Sequence, residues 1–138
     1  MNISVFFITA SGAVVFTLGL LHLVFTFHGP RFDPRDPALK LHMQGVSPVI
    51  SSQTTMWRAW ISFNATHSIG AMLFGLVYGY LALRQTEVLF KSWFLLAVGL
   101  ALLASYVALG KRYWFSIPFR GSIVATVLYL LGLITWFA

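Results

Sequence analysis

The sequence has no cysteine and very little charge. Without a thiol, neither a disulfide bond nor a thiolate ligand for a metal or an iron–sulfur cluster is available. Only 9% of the 138 residues are charged, whereas about a quarter of the residues of a soluble domain are charged. So few charges cannot cover a water-facing surface, and the composition therefore favours a membrane protein.

Acidic residues are especially scarce. The three in the sequence are Asp33, Asp36 and Glu87, and all of them lie between the apolar segments. A carboxylate proton pathway of the kind found in membrane pumps therefore has no residues to use within those segments. The nine basic residues give a net charge of +6, but they flank apolar segments as topology signals do. We therefore expect contact with membrane lipids and no binding of nucleic acid.

Long apolar segments are what the sequence does contain. Hydrophobic residues make up 59% of the chain, and residues 4–27, 59–83, 92–109 and 121–138 form four apolar runs. A helix needs about 17–25 such residues to cross a bilayer. The sequence predicts an all-α integral membrane four-helix bundle, forming one transmembrane domain over residues 1–138, with short loops and one longer cytoplasmic loop at residues 28–58. The first run lacks the basic start of a signal peptide and is expected to be retained.

The basic residues predict the orientation of this domain. Seven of the nine lie in the loops 28–58 and 110–120, and only Arg84 and Lys91 lie on the other side. By the positive-inside rule, the two basic loops face the cytoplasm and both termini face the outside. Trp57, Arg58 and Trp60 are then expected near the inner interface, as is Arg112. The Arg58 guanidinium should turn toward headgroups or a partner.

The long loop contains signals for a short helix. Asp36 is suited to cap its start, Pro37 fits the first helical position, and Gly45 is suited to end it. We therefore expect about two turns of helix on the cytoplasmic face.

Small residues recur along the predicted spans at spacings that allow helices to approach closely. In lipid, such ridges mark helix–helix contacts. The ridges are Gly12 with Gly19 on the first span, Ala71, Gly75 and Gly79 on the second, and Ala97, Ala101 and Ser105, with Ala104 and Ala108, on the third.

A polar cluster within the spans is the candidate functional site. Asn64 and His67 lie on one face of the second span, whose interior side is expected to include Trp60, Phe63, Gly70, Ala71 and Phe74. His22 lies at a similar depth on the first span, because the two helices run antiparallel, and Tyr106 lies near the same level on the third. An ionisable group within a span is a functional-site hypothesis by default.

Three roles for this cluster remain open. Neutral histidines could bond Asn64, Tyr106 or a carbonyl and hold the bundle together. Alternatively, His22 and His67 could be axial ligands of haem b, with Gly19 and Gly70 admitting the ring and Arg58 and Arg112 near its propionates. In the third, His22, Asn64, His67 and Tyr106 would bind the polar head of a quinone, a lipid or another amphiphile.

Two motifs carry a resemblance to a known group of proteins. The stretches "TTMWRAWISFNATHSIG" and "KRYWFSIPFRG" contain Trp57, Arg58, Trp60, Phe63, Asn64, His67 and Gly70, then Arg112 through Pro118. With His22 near the end of the first helix, this pattern resembles a group of small, uncharacterised bacterial inner-membrane proteins with four helices. The resemblance covers nearly the whole chain. It implies a bacterial inner-membrane location and a role for the His22/His67 region, but no activity.

The function that the sequence favours is that of a non-enzymatic accessory or structural subunit of a larger membrane complex. The chain is small, has little sequence outside the spans, and contains no recognisable catalytic constellation. Other membrane protein subunits are the expected partners. The alternatives are a haem b- or quinone-binding redox protein using His22 and His67, and a protein that binds lipid or another amphiphile.

Overall fold

A computed structural model describes residues 2–138, which form α-helices and no strand within that range. The helices are α1 (Ile3–Phe27), α2 (Pro37–Gly45), α3 (Met56–Arg84), α4 (Thr86–Lys91), α5 (Trp93–Tyr113) and α6 (Ser116–Phe137). Four of them, α1, α3, α5 and α6, are long and apolar enough to cross a membrane. The predicted fold class, all-α with four helices able to span, is confirmed.

The long helices extend beyond their predicted ends. α5 continues four residues past the expected end at 109, because Phe119 and Trp114 pack against Gly110 and make that glycine part of a close contact. α6 begins at Ser116, ahead of the apolar run at 121–138, as the start signals Ser116 and Pro118 predict. Pro118 lies in the first turn, where a helix needs no amide hydrogen. Residues 86–91, expected in a loop, form α4, which buries Leu89 and Phe90.

Contacts divide the chain into two compact units. One takes in the residues up to Leu18 together with Ala71–Ala138, and the other is Gly19–Gly70.

The first unit contains segments of all four long helices, which pack as a bundle. α1 and α3 touch through backbone at Gly12 and Gly75, where a Cβ on Gly75 would lie 2.5 Å from the Gly12 carbonyl oxygen. α1 is joined to α6 by the buried Ser11 hydroxyl, which donates to the Ala125 carbonyl at 2.7 Å. At the far end of α6, Trp136 stacks on Phe90 of α4 with ring centroids 4.2 Å apart.

Each long helix buries one narrow seam with alternating spacings of three and four residues. This is the spacing by which antiparallel or parallel helices mesh side chains in coiled coils. On α3 the seam consists of Asn64, Ser68, Ala71, Gly75, Tyr78 and Ala82. On α5 it consists of Leu96, Gly99, Leu103 and Gly110.

One face that was predicted to pack against another helix is exposed. The small residues of α5, which were expected to mark packing, are all exposed: Ala97, Ala101, Ala104, Ser105 and Ala108. The α3 ridge behaves differently, since Ala71 and Gly75 are buried. The small residues on α5 therefore form a flat strip that no part of residues 2–138 covers.

Several hydroxyl groups bond to their own helix rather than to a neighbour. Thr17 donates to the Ala13 carbonyl at 2.8 Å, and Ser105 donates to the Ala101 carbonyl at 2.7 Å. Thr135 on α6 donates to the Leu131 carbonyl at 2.7 Å. Because the acceptor carbonyl lies one turn earlier in the same helix, each hydroxyl has a hydrogen-bond partner whichever face of the helix it lies on.

In the second unit, the segment between α1 and α3 is held by specific contacts. The Asp36 carboxylate accepts from the Ala38 amide at 2.9 Å and caps α2, which starts at Pro37 and ends at Gly45. This short helix is as predicted. Lys40 forms a 2.8 Å ion pair with Asp33, and its ammonium lies 4.7 Å from the centre of the Trp57 ring.

Candidate functional site

The polar cluster within the second unit centres on a hydrogen bond between α1 and α3. The Nε2 atom of His22 lies 2.8 Å from Oδ1 of Asn64. Since an amide oxygen only accepts, Nε2 carries the proton and donates to it. Asn64 is 6% exposed, so this bond is formed in an environment where water does not compete for it. This hydrogen bond explains why an amide and an imidazole occur within these apolar segments.

The other side-chain atom of Asn64 and two neighbouring hydroxyls bond to backbone. The Asn64 side-chain nitrogen donates to the Trp60 carbonyl at 2.8 Å, and the buried Ser68 hydroxyl donates to the Asn64 carbonyl at 2.8 Å. On α1, Thr26 donates to the His22 carbonyl at 2.8 Å. Thr26 was expected as one of the smaller polar groups of this cluster, whereas Ser68 was not predicted. The signal for Ser68 in the sequence was its spacing of four residues from Asn64.

His67 lies beside this pair rather than at its centre. Its ring contacts the ring of His22 edge-on, with centroids 5.5 Å apart and planes at 70°. Phe32 covers His22 from the loop side at a centroid distance of 4.4 Å. The predicted interior face is wrong at Phe63, which is 70% exposed, and at Trp60 and Gly70, which are also exposed. The seam runs through Ser68 instead, so His67 is only half-buried.

The arrangement of the two histidines does not fit axial ligation of haem. Axial ligands point their nitrogens at a metal between them, about 2 Å from each. Here the two rings meet edge to face, and Nε2 of His22 is directed at Asn64. A porphyrin placed between the two histidines would break both their ring contact and the hydrogen bond from His22 to Asn64. Gly70, expected to admit the ring, is exposed, and a Cβ added there would meet no atom within 4 Å.

The aromatic and basic candidates of the second unit lie at the start of α3. Trp60 donates its indole hydrogen to the Phe32 carbonyl at 3.1 Å and so ties the loop to the helix. Trp57 packs under Lys40. The side chain of Arg58 is exposed. Trp60 therefore has a structural contact that the sequence did not predict.

Two predicted site residues belong to the first unit. Tyr106 on α5 packs against Trp114, with ring centroids 5.7 Å apart. Arg112 is exposed, and its guanidinium carbon lies 6.0 Å from the centre of the neighbouring Tyr113 ring.

Acidic side chains take structural roles. Asp33 pairs with Lys40, Asp36 caps α2, and Glu87 pairs with Lys91 one turn later on α4. Within residues 2–138, no three His, Asp or Glu side chains lie close enough together to hold a metal ion.

Fold and composition together define the class: a multi-pass membrane protein with four helices able to cross the bilayer. Comparison with models of protein families, with curated proteins and with solved structures finds no match to the chain. The resemblance to small bacterial inner-membrane proteins therefore stays a prediction.

Proposed function

We propose that the protein is a non-enzymatic subunit of a larger membrane complex, and that it binds a transmembrane helix of another subunit along α5. The observation that carries the proposal is the exposed strip of small residues on that helix. Lipid is as apolar as leucine, so helices in a membrane associate where small side chains let their backbones approach. Ala97, Ala101 and Ser105 provide such a surface, one turn apart along the helix.

The neighbouring residues give this strip a defined border. Phe94 and Leu109 are exposed at its two ends, at 74% and 48%. Between them the exposed surface is formed by alanine and serine together with Val98, which is 44% exposed, and the Ser105 hydroxyl is already bonded to the Ala101 carbonyl. A partner helix would therefore find a flat, mainly apolar strip whose one hydroxyl already has a hydrogen-bond partner. By contrast, the equivalent small residues on α3 are used inside the first unit.

The engagement of the charged groups supports a non-enzymatic role. Each of the three carboxylates makes a structural contact outside the long helices. Asn64 and the Nε2 atom of His22 are likewise bonded within the protein. These are the residues on which a reaction or a ligand would most readily depend, and their bonds hold helices and loops in place.

For location we propose the cytoplasmic membrane of a bacterium, with both termini outside. The support is the unequal distribution of basic residues, seven of which lie in residues 28–58 or near the α5–α6 turn. Loops that carry Lys and Arg are retained in the cytoplasm during insertion.

The complex is tested by placing a bulky side chain on the strip. Ala101→Leu should release the partner helix, because its added volume keeps the two backbones apart. Membranes from the native host would be solubilised in a mild detergent, and the size of the particle containing the protein would be measured by native electrophoresis. The parent protein should migrate as a particle clearly larger than one 15.4 kDa chain in its detergent micelle, and the variant should migrate as that single chain does.

Ala13→Leu is the matched control, because Ala13 is exposed on α1 rather than on α5. It should leave the particle size unchanged. A parent protein that migrates as a monomer, or an Ala101→Leu variant that keeps the larger particle, would refute the proposal. A particle that contains only copies of this chain would show self-association instead of an accessory role.

A further inference from the structure

The segment between α2 and α3 forms a closed loop with an apolar tip. The Met56 amide donates to the Val46 carbonyl at 2.8 Å, which joins the two ends of the loop at the start of α3. At the tip, the Ser51 amide donates to the Pro48 carbonyl at 3.2 Å and forms a turn. Val49 and Ile50 occupy the two central positions of that turn.

These two side chains are the most exposed large hydrophobic residues in the described part of the chain. Val49 is 109% exposed and Ile50 is 93% exposed. Central turn positions are normally filled by Gly, Pro, Asn, Asp or Ser, because those residues suit the backbone of a turn. Two β-branched residues there contribute nothing to turn geometry and make no contact in this structure. Residues that neither suit the local backbone nor pack in the fold point to a function.

The position of the loop specifies what could cover the tip. Val49 is three residues from Val46, so it lies no more than about 11 Å from the closed base and hence from the start of α3. α3 is one of the helices that can cross the membrane, and its first turns carry Trp57 and Trp60. Tryptophan is enriched where spanning helices meet the headgroup layer. The tip is therefore attached at the level of the membrane surface.

The charges of the same unit favour a negatively charged surface. Asp33 and Asp36 are engaged by Lys40 and by the α2 amide, which leaves Arg31, Arg35 and Arg58 exposed in the same unit as the loop. Arg31 is held in place over the Phe25 ring, 3.9 Å from its centre. Basic residues beside a spanning helix attract anionic phospholipids.

We propose that Val49 and Ile50 insert into the interfacial layer of an anionic phospholipid membrane, with Arg31, Arg35 and Arg58 contacting lipid phosphates. The loop is then a second attachment to the bilayer, in addition to the spanning helices. Its turn and closed base hold both side chains at one tip, so they enter the membrane together.

The absence of cysteine makes a direct test possible, because one introduced thiol is the only one to react. Val49→Cys and Ile50→Cys, labelled with an environment-sensitive fluorophore, would be reconstituted into vesicles of phosphatidylcholine with or without phosphatidylglycerol. Neutral acrylamide would measure water access, since an anionic quencher is repelled by anionic vesicles. Both substitutions lie at fully exposed positions and remove no contact. Gln53→Cys, at an exposed polar position of the same loop, is the control.

We expect the labels at 49 and 50 to show blue-shifted emission and severalfold lower quenching than the label at 53. The protection should be greater in vesicles with phosphatidylglycerol. Equal protection in both lipids would refute the part assigned to the arginines. Labels at 49 and 50 that are quenched as readily as the label at 53 in both vesicles would overturn the insertion.

Discussion

Tyr78 and Tyr129 approach α5 from two different helices and donate to adjacent carbonyl groups. The Tyr78 hydroxyl lies 2.6 Å from the Leu95 oxygen, and the Tyr129 hydroxyl lies 3.0 Å from the Leu96 oxygen. The two rings also meet edge-on, with centroids 5.9 Å apart. An unpaired phenol would be costly in a lipid environment. The pair therefore fastens α3 and α6 to the first turn of α5.

Removing one of these hydroxyls should weaken the first unit by a modest amount. We expect Tyr129→Phe to lower the free energy of unfolding by about 0.6–1.5 kcal/mol, because it keeps the ring and loses one buried hydrogen bond. Unfolding by a denaturing detergent, followed by circular dichroism, would measure this. Tyr80→Phe is the control, since Tyr80 is 58% exposed on α3. Equal effects at the two positions would contradict the role assigned to Tyr129.

The contact between Gly12 and Gly75 predicts a sharp difference between two glycines of α3. Gly75→Ala would place a methyl group against the Gly12 carbonyl and the Phe16 side chain. We expect it to destabilise the protein by about 1–3 kcal/mol, as overpacking does. Gly79→Ala, one turn away, would meet no atom within 4 Å. It should be neutral or slightly stabilising, because alanine favours a helix over glycine. The same unfolding assay would compare them, and equal losses would argue against a backbone contact at this crossing.

The His22–Asn64 bond predicts energetic coupling between those two positions. A double-mutant cycle with His22→Leu, Asn64→Leu and the combined variant should give a coupling energy of about 0.6–1.7 kcal/mol, the range of buried hydrogen bonds in membrane proteins. The cycle His22/His42 is the control, because His42 is exposed on α2. It should give no coupling. No coupling between His22 and Asn64 would show that the bond is not formed in the membrane.

The same histidines allow the haem alternative to be tested by its spectrum. We expect the purified protein, titrated with haem, to develop no bis-histidine Soret band, because His22 directs Nε2 at Asn64. A Soret band that is lost in both His22→Leu and His67→Leu, but kept in His42→Leu, would contradict this expectation and restore the redox hypothesis.

The distribution of basic residues predicts that both termini lie outside. An alkaline phosphatase fused after Ala138 should be active, and a green fluorescent protein fused there should be dark, because each reporter works on only one side of the membrane. A fusion after Trp114, in the short turn between α5 and α6, should show the opposite pattern and serves as the internal control. If the C-terminal fusions behave in the reverse way, the positive-inside interpretation is wrong for this chain.

The sequence was sufficient to predict the four long helices and the short α2, but not α4, because the predicted features depend on local signals. Apolar runs, the Asp36 cap and Pro37 act within a few residues of where they stand. The end of α5 was missed because the apolar run ends at residue 109, whereas the helix continues to Tyr113 and packs Gly110 closely against Phe119 of the following helix.

The candidate site was predicted in part, and the error has a geometric cause. Asn64 and His67 are three residues apart, so the predicted face was centred between them. The buried seam instead passes through Asn64 and Ser68, and this rotates His67 to its edge. The alternating spacing of small and polar residues along α3 was visible in the sequence. Whether a strip of alanines faces a neighbour or the outside, as on α5, depends on the other helices and could not be predicted from one helix.

The hydrogen bonds of the polar side chains have a consequence for biogenesis. The hydroxyls of Thr17, Ser105 and Thr135 have a hydrogen-bond partner as soon as their own helix forms. These groups can therefore enter the bilayer from the translocon without a neighbouring helix. Ser11 and the Asn64 side-chain oxygen bond across to another helix, and those bonds form only when that helix arrives. Insertion and assembly are thus served by different polar groups: the first set lets single helices enter lipid, and the second makes an unassembled helix the less stable state.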